Sequence, residues 1–469
     1  MSNSLYYNDI NIFAIPIKIW YTLFQDILFT CATIMPIQNE EDFKKMKEAI
    51  LKENAWFHSV KFQELERFVR EALVKQDSDM ALTLITKGAL SLGGSDIHYD
   101  VKAQSVRIRL RIDGNLVTIF DLTPAEYKLI LERLKYKSNM KLNLTQIPQD
   151  GKYRIDDLGD RIDVRVSTLP VKLGENTVCR ILDSTNSIPK MAELGFMWTS
   201  KRQIEKSTHK KNGMILVTGP TGSGKTTTLY SILATLNTSE KKVITLEDPI
   251  EYELEGVVQS EVNEKNNYTY ASGLKALLRQ DPDVIMIGEV RDLETADIAA
   301  QASLTGHLVL STLHTKSASE TIERLTNMGL PSYILASAID IIIAQRLVRK
   351  ICTHCSESYE ATSEENEIIK WMMQDIGIEA VSKAKKNGFH LHRWRGCEHC
   401  GYTGFKGRLG IYEVLNFSDE IRSLIRNEAS PAEILAKWRE QDLMLMREDW
   451  VLKAMRGKTT LEELFSVID

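Results

Sequence analysis

Charged and aliphatic residues alternate through "SVRIRLRIDGNLVTIF" (residues 105–120) and again through "DRIDVRVSTLP" (160–170). Side chains in a strand repeat every two residues, so both stretches predict half-buried strands. The Asp113-Gly114 pair inside the first predicts a tight hairpin turn. Upstream the period becomes helical, in "EEDFKKMKEAILKENAWF" and "FQELERFVREALVK" within residues 38–75 and in "DMALTLITKGALSL" at 79–92. From about residue 195 short, continuous apolar runs alternate with helical segments, the pattern of an α/β unit built on a parallel sheet.

Residues 10–37 are strongly apolar, but Pro16, Lys18 and Asp26 interrupt them and the longest clean run is eleven residues, 27–37. A membrane span needs about 20 such residues. An interfacial or partner-docking helix is the expectation, with an upstream choice of start codon as the alternative, because Met35 opens an ordinary hydrophilic segment. A basic n-region and a small-residue cleavage site are both missing, so no signal peptide is expected.

The strand period also groups cations. Arg107, Arg109 and Arg111 share one face, and Arg161 and Arg165 share another. Such clusters repel unless an anion or a carboxylate surface sits opposite.

"GPTGSGKTT" comprises Gly219, Pro220, Thr221, Gly222, Ser223, Gly224, Lys225, Thr226 and Thr227. It follows the apolar run "MILVT" and precedes the helical "TTTLYSILATL", the context a phosphate-binding P-loop requires. Glycines let backbone N–H groups face phosphate oxygens, Lys225 is expected on the β- and γ-phosphates, and the Thr226 hydroxyl on Mg²⁺. Three later apolar runs end in polar groups: "VITLED" in Glu247 and Asp248, "VIMIGE" in Glu289, "HLVLSTLH" in His314. Ligands of parallel sheets bind beyond the carboxyl ends of the strands, so these groups should converge beside the γ-phosphate. His307 lies about 23 Å from His314 along an extended strand at ~3.3 Å per residue, too far to share that phosphate.

Composition narrows the partners. The chain has 469 residues and a formal charge of −5, and no aromatic-plus-basic groove is evident, so nucleic acid is not expected to bind. Four of its six cysteines form "CTHC" (Cys352, Cys355) and "CEHC" (Cys397, Cys400). Paired C-x-x-C knuckles suit a closed tetrahedral Zn²⁺ site in a reducing compartment, with a disulfide as the alternative reading. His354 and His399 are reserve ligands, and the 41 residues between the knuckles are expected to form a helical insertion.

Taken with "VITLEDPIEY", "LLRQDPDVIMIGEVRDLETA" and "TGHLVLSTLHT", the P-loop resembles the Walker A, aspartate, Walker B and histidine boxes of the secretion ATPases that power type II secretion and type IV pili. "SDIHYD", "RIRLRIDGNL", "PQDGKY" and "DVRVSTLP" extend the resemblance over residues 78–469. It implies a RecA-like P-loop ATPase core preceded by a PAS-like α/β domain, with a zinc-binding insertion and a helical C-terminal subdomain. The implied organisation is a helical N-terminal region with an apolar leader (1–77), an arginine-supplying PAS-like domain (78–185), a linker (186–195) within a hinge at 183–195, and an ATPase domain (196–469). That last domain holds the zinc element (352–400) and the C-terminal helices (417–469).

The resemblance further implies ATP, Mg²⁺ and Zn²⁺ as cofactors and a homo-hexamer at the cytoplasmic face of the inner membrane. The ring would work on a membrane platform protein and associated pilus or secretion proteins. In this family Walker B ends in G-E, so Gly288 is no defect. Glu289 is then the magnesium-side or water-orienting carboxylate and Glu247 its partner, either of which could be the general base. Arg111 and Arg165 are the implied arginine fingers, with Arg109 and Arg180 in reserve. Arg279 and Arg291 are candidates for interface or phosphate contacts. Gln146 stands where the family usually has arginine. Because assembly and export ATPases carry the tetracysteine element and retraction ATPases lack it, pilus assembly or type II export is expected. A retraction or DNA-uptake motor and a RecA-like nucleic-acid translocase are the alternatives.

Overall fold

The computed structural model describes residues 59–157, 160–183, 188–373, 389–441 and 443–463. The apolar leader, the charged segment before residue 59, positions 184–187 of the expected hinge and 374–388 of the inter-knuckle segment lie outside the described residues.

The first part is an antiparallel sheet backed by helices. Helices α1 (Ser59–Val74) and α2 (Ser78–Ser91) precede strands β1 (Gly94–Val101), β2 (Val106–Ile112) and β3 (Asn115–Leu122). Helix α3 (Pro124–Lys137) follows, then β4 (Gln149–Asp157), β5 (Asp160–Val171) and β6 (Gly174–Asp183). The spatial order is β3-β2-β1-β6-β5-β4. The predicted hairpin forms between β2 and β3, with Asp113 at φ 46° and Gly114 at φ 94°. Both central residues of a type I′ turn need positive φ, which is why the Asp-Gly pair sits there. Asp77 caps α2, and Thr123 with Glu126 forms a capping box on α3 behind Pro124. In β2 every second residue is buried, and Ile108 and Leu110 join Ile97, Tyr99, Val164 and Cys179 in one core. Helix α1 adds Val69, Ala72 and Leu73 to it.

The second part holds a seven-stranded sheet. It contains α4 (Trp198–Thr208), β7 (Gly213–Thr218), α5 (Lys225–Leu236), β8 (Val243–Glu247), β9 (Val258–Glu261), α6 (Tyr270–Leu277), β10 (Val284–Ile287), α7 (Leu293–Leu304), β11 (Leu308–Leu313), α8 (Ala318–Asn327), α9 (Ser332–Ala338) and β12 (Ile339–Ile351). After the knuckle region come β15 (Phe405–Asn416), α11 (Asp419–Arg426), α12 (Pro431–Glu440) and α13 (Met446–Met455); within it lie β13 (Ser356–Glu360), α10 (Ser363–Met372) and β14 (His390–Trp394). The order is β15-β12-β7-β11-β10-β8-β9, parallel except for β15 against β12. Strands β8, β10 and β11 are buried along their whole length. A sheet covered by helices on both faces needs such runs, and they are the continuous apolar stretches of the sequence.

The described residues of the inter-knuckle segment hold strands as well as the expected helix. They pair β13 with β14 in an antiparallel ribbon beside the single described helix α10. The short alternations in "SESYE" and "HLHRW" place Tyr359 opposite Leu391.

Lys135 and Glu175 form a salt bridge at 2.7 Å with side chains 2% and 4% exposed, and Lys135 Nζ also donates to the Leu144 carbonyl at 3.0 Å. Removing one partner of such a pair strands the other charge in the interior. Lys135→Met should therefore cost about 3 kcal/mol of stability and lower the thermal midpoint followed by circular dichroism, while Lys135→Met/Glu175→Met recovers most of the loss.

Candidate active site

Between the last residue of β7, Thr218, and the first of α5, Lys225, the chain turns through Gly219, Gly222 and Gly224 at φ 153°, 78° and 84°. A Cβ on Gly219 would come within 2.5 Å of Ser223 Oγ, so the loop closes only around glycine there. Ser223 Oγ is itself buried without a hydrogen-bond partner among the described residues. Lys225 Nζ donates to the carbonyls of Gly219 at 2.9 Å and Pro220 at 3.1 Å. Burial pulls the ammonium below its usual proton affinity, and the Glu289 carboxylate opposes that pull. Pro220 and Thr221 are exposed, and Thr226 and Thr227 are half-buried in the first turn of α5. An orphaned hydroxyl, a lysine and the positive end of a helix on one glycine arch fit a nucleotide's phosphates. The Thr226 hydroxyl and the Glu289 carboxylate are oxygen donors of the kind Mg²⁺ takes.

Glu289 lies two residues beyond β10 and His314 directly beyond β11, and the structure brings them together with Nε2 and Oε2 3.4 Å apart. Arg291 pairs with the other Glu289 oxygen and stands 3.8 Å from Asp248. Burial, followed by the nearby Lys225 charge, holds His314 below its usual proton affinity, with Glu289 opposing. Glu247 also ends its strand, but its carboxylate turns elsewhere. It is 3% exposed and accepts from Tyr230 Oη, from Thr245 Oγ1 at 2.5 Å and from Gln259 Nε2 at 3.2 Å. His307 sits at the opposite end of β11, with Nδ1 3.0 Å from the Ala302 carbonyl.

The arginines divide. Arg165 is half-buried and donates to the Ile250 carbonyl at 3.0 Å, beside the acids that follow β8. Burial lowers its proton affinity, opposed by Glu251 and Glu261. Arg111 is not drawn to the P-loop: it donates to the Gly114 carbonyl at 2.8 Å and lies 3.7 Å from Asp96. Its neighbours on the same face are matched likewise, Arg107 with Asp121 at 3.0 Å and Arg109 with Asp100 at 2.5 Å. A row of carboxylates is what balances this strand face. Arg180 bonds Asp96 at 2.9 Å, and Arg279 donates to the Lys275 carbonyl at 2.8 Å.

Sequence reasoning passed over Glu251. Burial lifts its carboxyl above the usual range, against the pull of Arg165 and Arg180. The only sign in the sequence is a third acid in "EDPIE". Tyr230, which fixes Glu247, looks like an ordinary apolar-face residue of α5 until the fold places it.

Cys352, Cys355, Cys397 and Cys400 gather with all four sulfurs within 4.8 Å of one another. Sulfur separations of 3.8 Å (Cys352–Cys397), 3.8 Å (Cys355–Cys400) and 3.7 Å (Cys397–Cys400) match the edge of about 3.8 Å expected for a tetrahedron with Zn–S bonds of ~2.3 Å. The Cys400 sulfur accepts backbone N–H groups of Cys397 and Gly404, both at 3.3 Å. His354 and His399 stack on each other, ring centroids 4.0 Å apart, and do not belong to the cluster.

A glycine arch between a buried parallel strand and a helix, with carboxylate and imidazole delivered by neighbouring strands, defines a P-loop ATPase. Residues 75–466 match the family described as Type II/IV secretion system protein. Type II secretion system protein E of Pseudomonas aeruginosa is 41% identical over 401 residues, 85% of this chain and 77% of that protein. The type IV pilus assembly ATPase PilB of Thermus thermophilus is 38% identical over 403 residues, 86% of this chain and 43% of that protein. The solved structure of the ATPase DotB from Legionella pneumophila covers 82% of this chain and 94% of its own, with a TM-score of 0.59 at 23% identity, a likeness of fold. The chain belongs to the type II/IV secretion ATPase family, and its chemistry is ATP hydrolysis.

With its folded-state value depressed, His314 is neutral at pH 7. Its contribution to stability is present above the unfolded value of about 6.5 and is lost as pH falls through the lower folded value. The ATPase rate should fall on the acid side of the usual histidine range as the imidazolium forms against Glu289, and a pH–rate profile of His314→Gln should lack that acid limb.

Proposed function

We propose that six copies of this chain form a cytoplasmic ring at the inner membrane, where ATP hydrolysis moves a platform protein and drives pilin assembly or type II export. The observation that carries this reading is the four-cysteine cluster on a secretion-ATPase core, whose sulfur spacing suits zinc and whose presence is the mark of assembly and export motors. Among the described residues no helix is long and apolar enough to cross a membrane, which fits a motor that reaches the bilayer through partners.

At the site, Glu289 is the water-orienting carboxylate. Three donors already occupy the buried Glu247 oxygens, whereas Glu289 is 17% exposed and its partners are the Arg291 guanidinium and the His314 imidazole. Glu247 acts by holding the floor of the site through Tyr230 and Gln259. Lys225 and the P-loop amides would hold the phosphates, and Thr226 and Glu289 would hold Mg²⁺, whose charge would polarise the γ-phosphoryl group. Arg165 supplies positive charge from the PAS-like domain, whose expected extent is 78–185, as that domain closes on the RecA-like unit across the hinge. Arg111 serves as a second finger only where a neighbouring subunit frees it from Asp96.

Glu289→Gln should lower turnover at least about a hundredfold while leaving nucleotide binding within a few-fold of the parent. Atomic spectroscopy should find about one zinc per chain. Stimulation of the ATPase by the membrane platform protein supports the motor. Undiminished hydrolysis in Glu289→Gln would refute the site, and a zinc content near zero would turn the reading toward retraction.

A further inference from the structure

One buried polar side chain beside the P-loop has no part in the chemistry above. Gln345 lies on β12, which runs parallel to β7 with Ala344 opposite Thr218, so its amide emerges level with the loop that Thr218 begins. The residue is 2% exposed. Its Nε2 donates to the Ser223 carbonyl at 2.7 Å, and its Oε1 accepts from Thr228 Oγ1 at 2.7 Å. Because the Ser223 carbonyl can only accept, the amino end of the amide must face it, and the Thr228 hydroxyl then donates to the other end.

Across a trans peptide the C=O and the following N–H point to opposite sides. Holding the Ser223 carbonyl out against β12 therefore turns the Gly224 N–H away from β12, into the concave side of the arch. Left without Gln345, that carbonyl would be a buried acceptor with no partner, and it would satisfy itself best by rotating the peptide. Rotation would aim an oxygen where a phosphate oxygen must sit.

We infer that Gln345 is a positioning residue for the nucleotide: its amide locks the Ser223–Gly224 peptide so that the P-loop offers an N–H, not a carbonyl, to phosphate. It rests on the P-loop reading of Gly219 to Thr227. The glycines are fitted to it as well as to the ligand. A Cβ on Gly224 would lie 2.9 Å from Gln345 Nε2, and one on Gly219 would lie 2.5 Å from the Gln345 carbonyl oxygen. Thr228, one turn into α5, completes the device by fixing which way round the amide sits.

The test uses the full chain, titrated with a fluorescent ADP analogue and competed with inorganic pyrophosphate, alongside kcat and KM for ATP. Gln345→Met keeps length and bulk but offers no donor; it should weaken ADP and pyrophosphate about tenfold or more and raise KM alike, with kcat at saturation within about threefold. Gln345→Glu, an acceptor facing an acceptor, should be weaker still. Thr228→Val, which preserves shape, should weaken binding by a smaller factor and stands in should Gln345→Met not fold. Pyrophosphate and ADP affinities within twofold of the parent in Gln345→Met, or a fall in kcat with unchanged KM, overturn the assignment. Lys225→Ala run in parallel separates the two levels: normal binding there sinks the P-loop reading itself, whereas lost binding there with normal binding in Gln345→Met sinks only Gln345.

Discussion

Everything at this site depends on a backbone constraint, the reversal between β7 and α5 that must present amide hydrogens inward with no side chains in the way. Gly219, Gly222 and Gly224 lie in the region of φ that glycine adopts freely, and the Cβ of any other residue at 219 would overlap Ser223 Oγ. A buried parallel sheet makes the reversal possible. Strands β11 and β12 flank β7 on its two sides, so the loop is bounded by rigid neighbours before any ligand arrives. The charges are then added from strand ends, where a residue or two beyond the last ladder bond can face the loop without breaking the sheet.

Two carboxylates leave neighbouring strands and meet different surroundings. Ile287 of β10 pairs with Leu246 of β8, so Glu247 and Gly288 stand side by side. A Cβ at position 288 would lie 2.8 Å from Tyr270 Oη, so any larger residue there would have to displace that hydroxyl, and the acid stands one residue onward. That offset carries Glu289 to Arg291 and His314, while Glu247 turns into a nest of hydroxyl and amide donors. The Gly-Glu order at the end of β10 thus sets one acid beyond the ladder, beside Arg291 and His314, and leaves the other enclosed by donors.

Much of this was legible in the sequence because it rests on local rules. The hairpin at Asp113-Gly114, the P-loop, the continuous apolar strands and the paired cysteine knuckles each declare themselves within a few residues, and each forms. What the sequence could not declare depends on pairing across the fold. The arginine face of β2 looked available, yet Asp96, Asp100 and Asp121 arrive opposite it from strands that only the register brings near. Arg165 reaches Ile250 and Gln345 reaches Ser223 through positions 85 and 122 residues apart along the chain, and no periodicity marks either. The ribbon of β13 and β14 was hidden because its alternation lasts only five residues on each side.

Strand β12 gives those separate facts a common mechanical frame. It begins beside β7, passes the P-loop at Gln345, and runs on to Ile351, where the next residue is the first cysteine of the cluster. Its antiparallel partner β15 starts at Phe405, just after the last cysteine, and Cys352 N–H donates to the Gly404 carbonyl at 2.8 Å. Along the way Arg349 is tied to Glu463 through its backbone N–H at 3.0 Å and its Nε at 2.9 Å, and its guanidinium lies 4.1 Å from the Phe405 ring centroid. A two-stranded ribbon projecting beyond a sheet is marginal by itself and frays from its free end. A metal ion held by the four sulfurs would close that end, and the cluster lies on the same strand pair that braces the phosphate loop. The four sulfurs thus lie at the far end of the strand pair that passes the P-loop, within the fold's longest ladder and away from the chemistry.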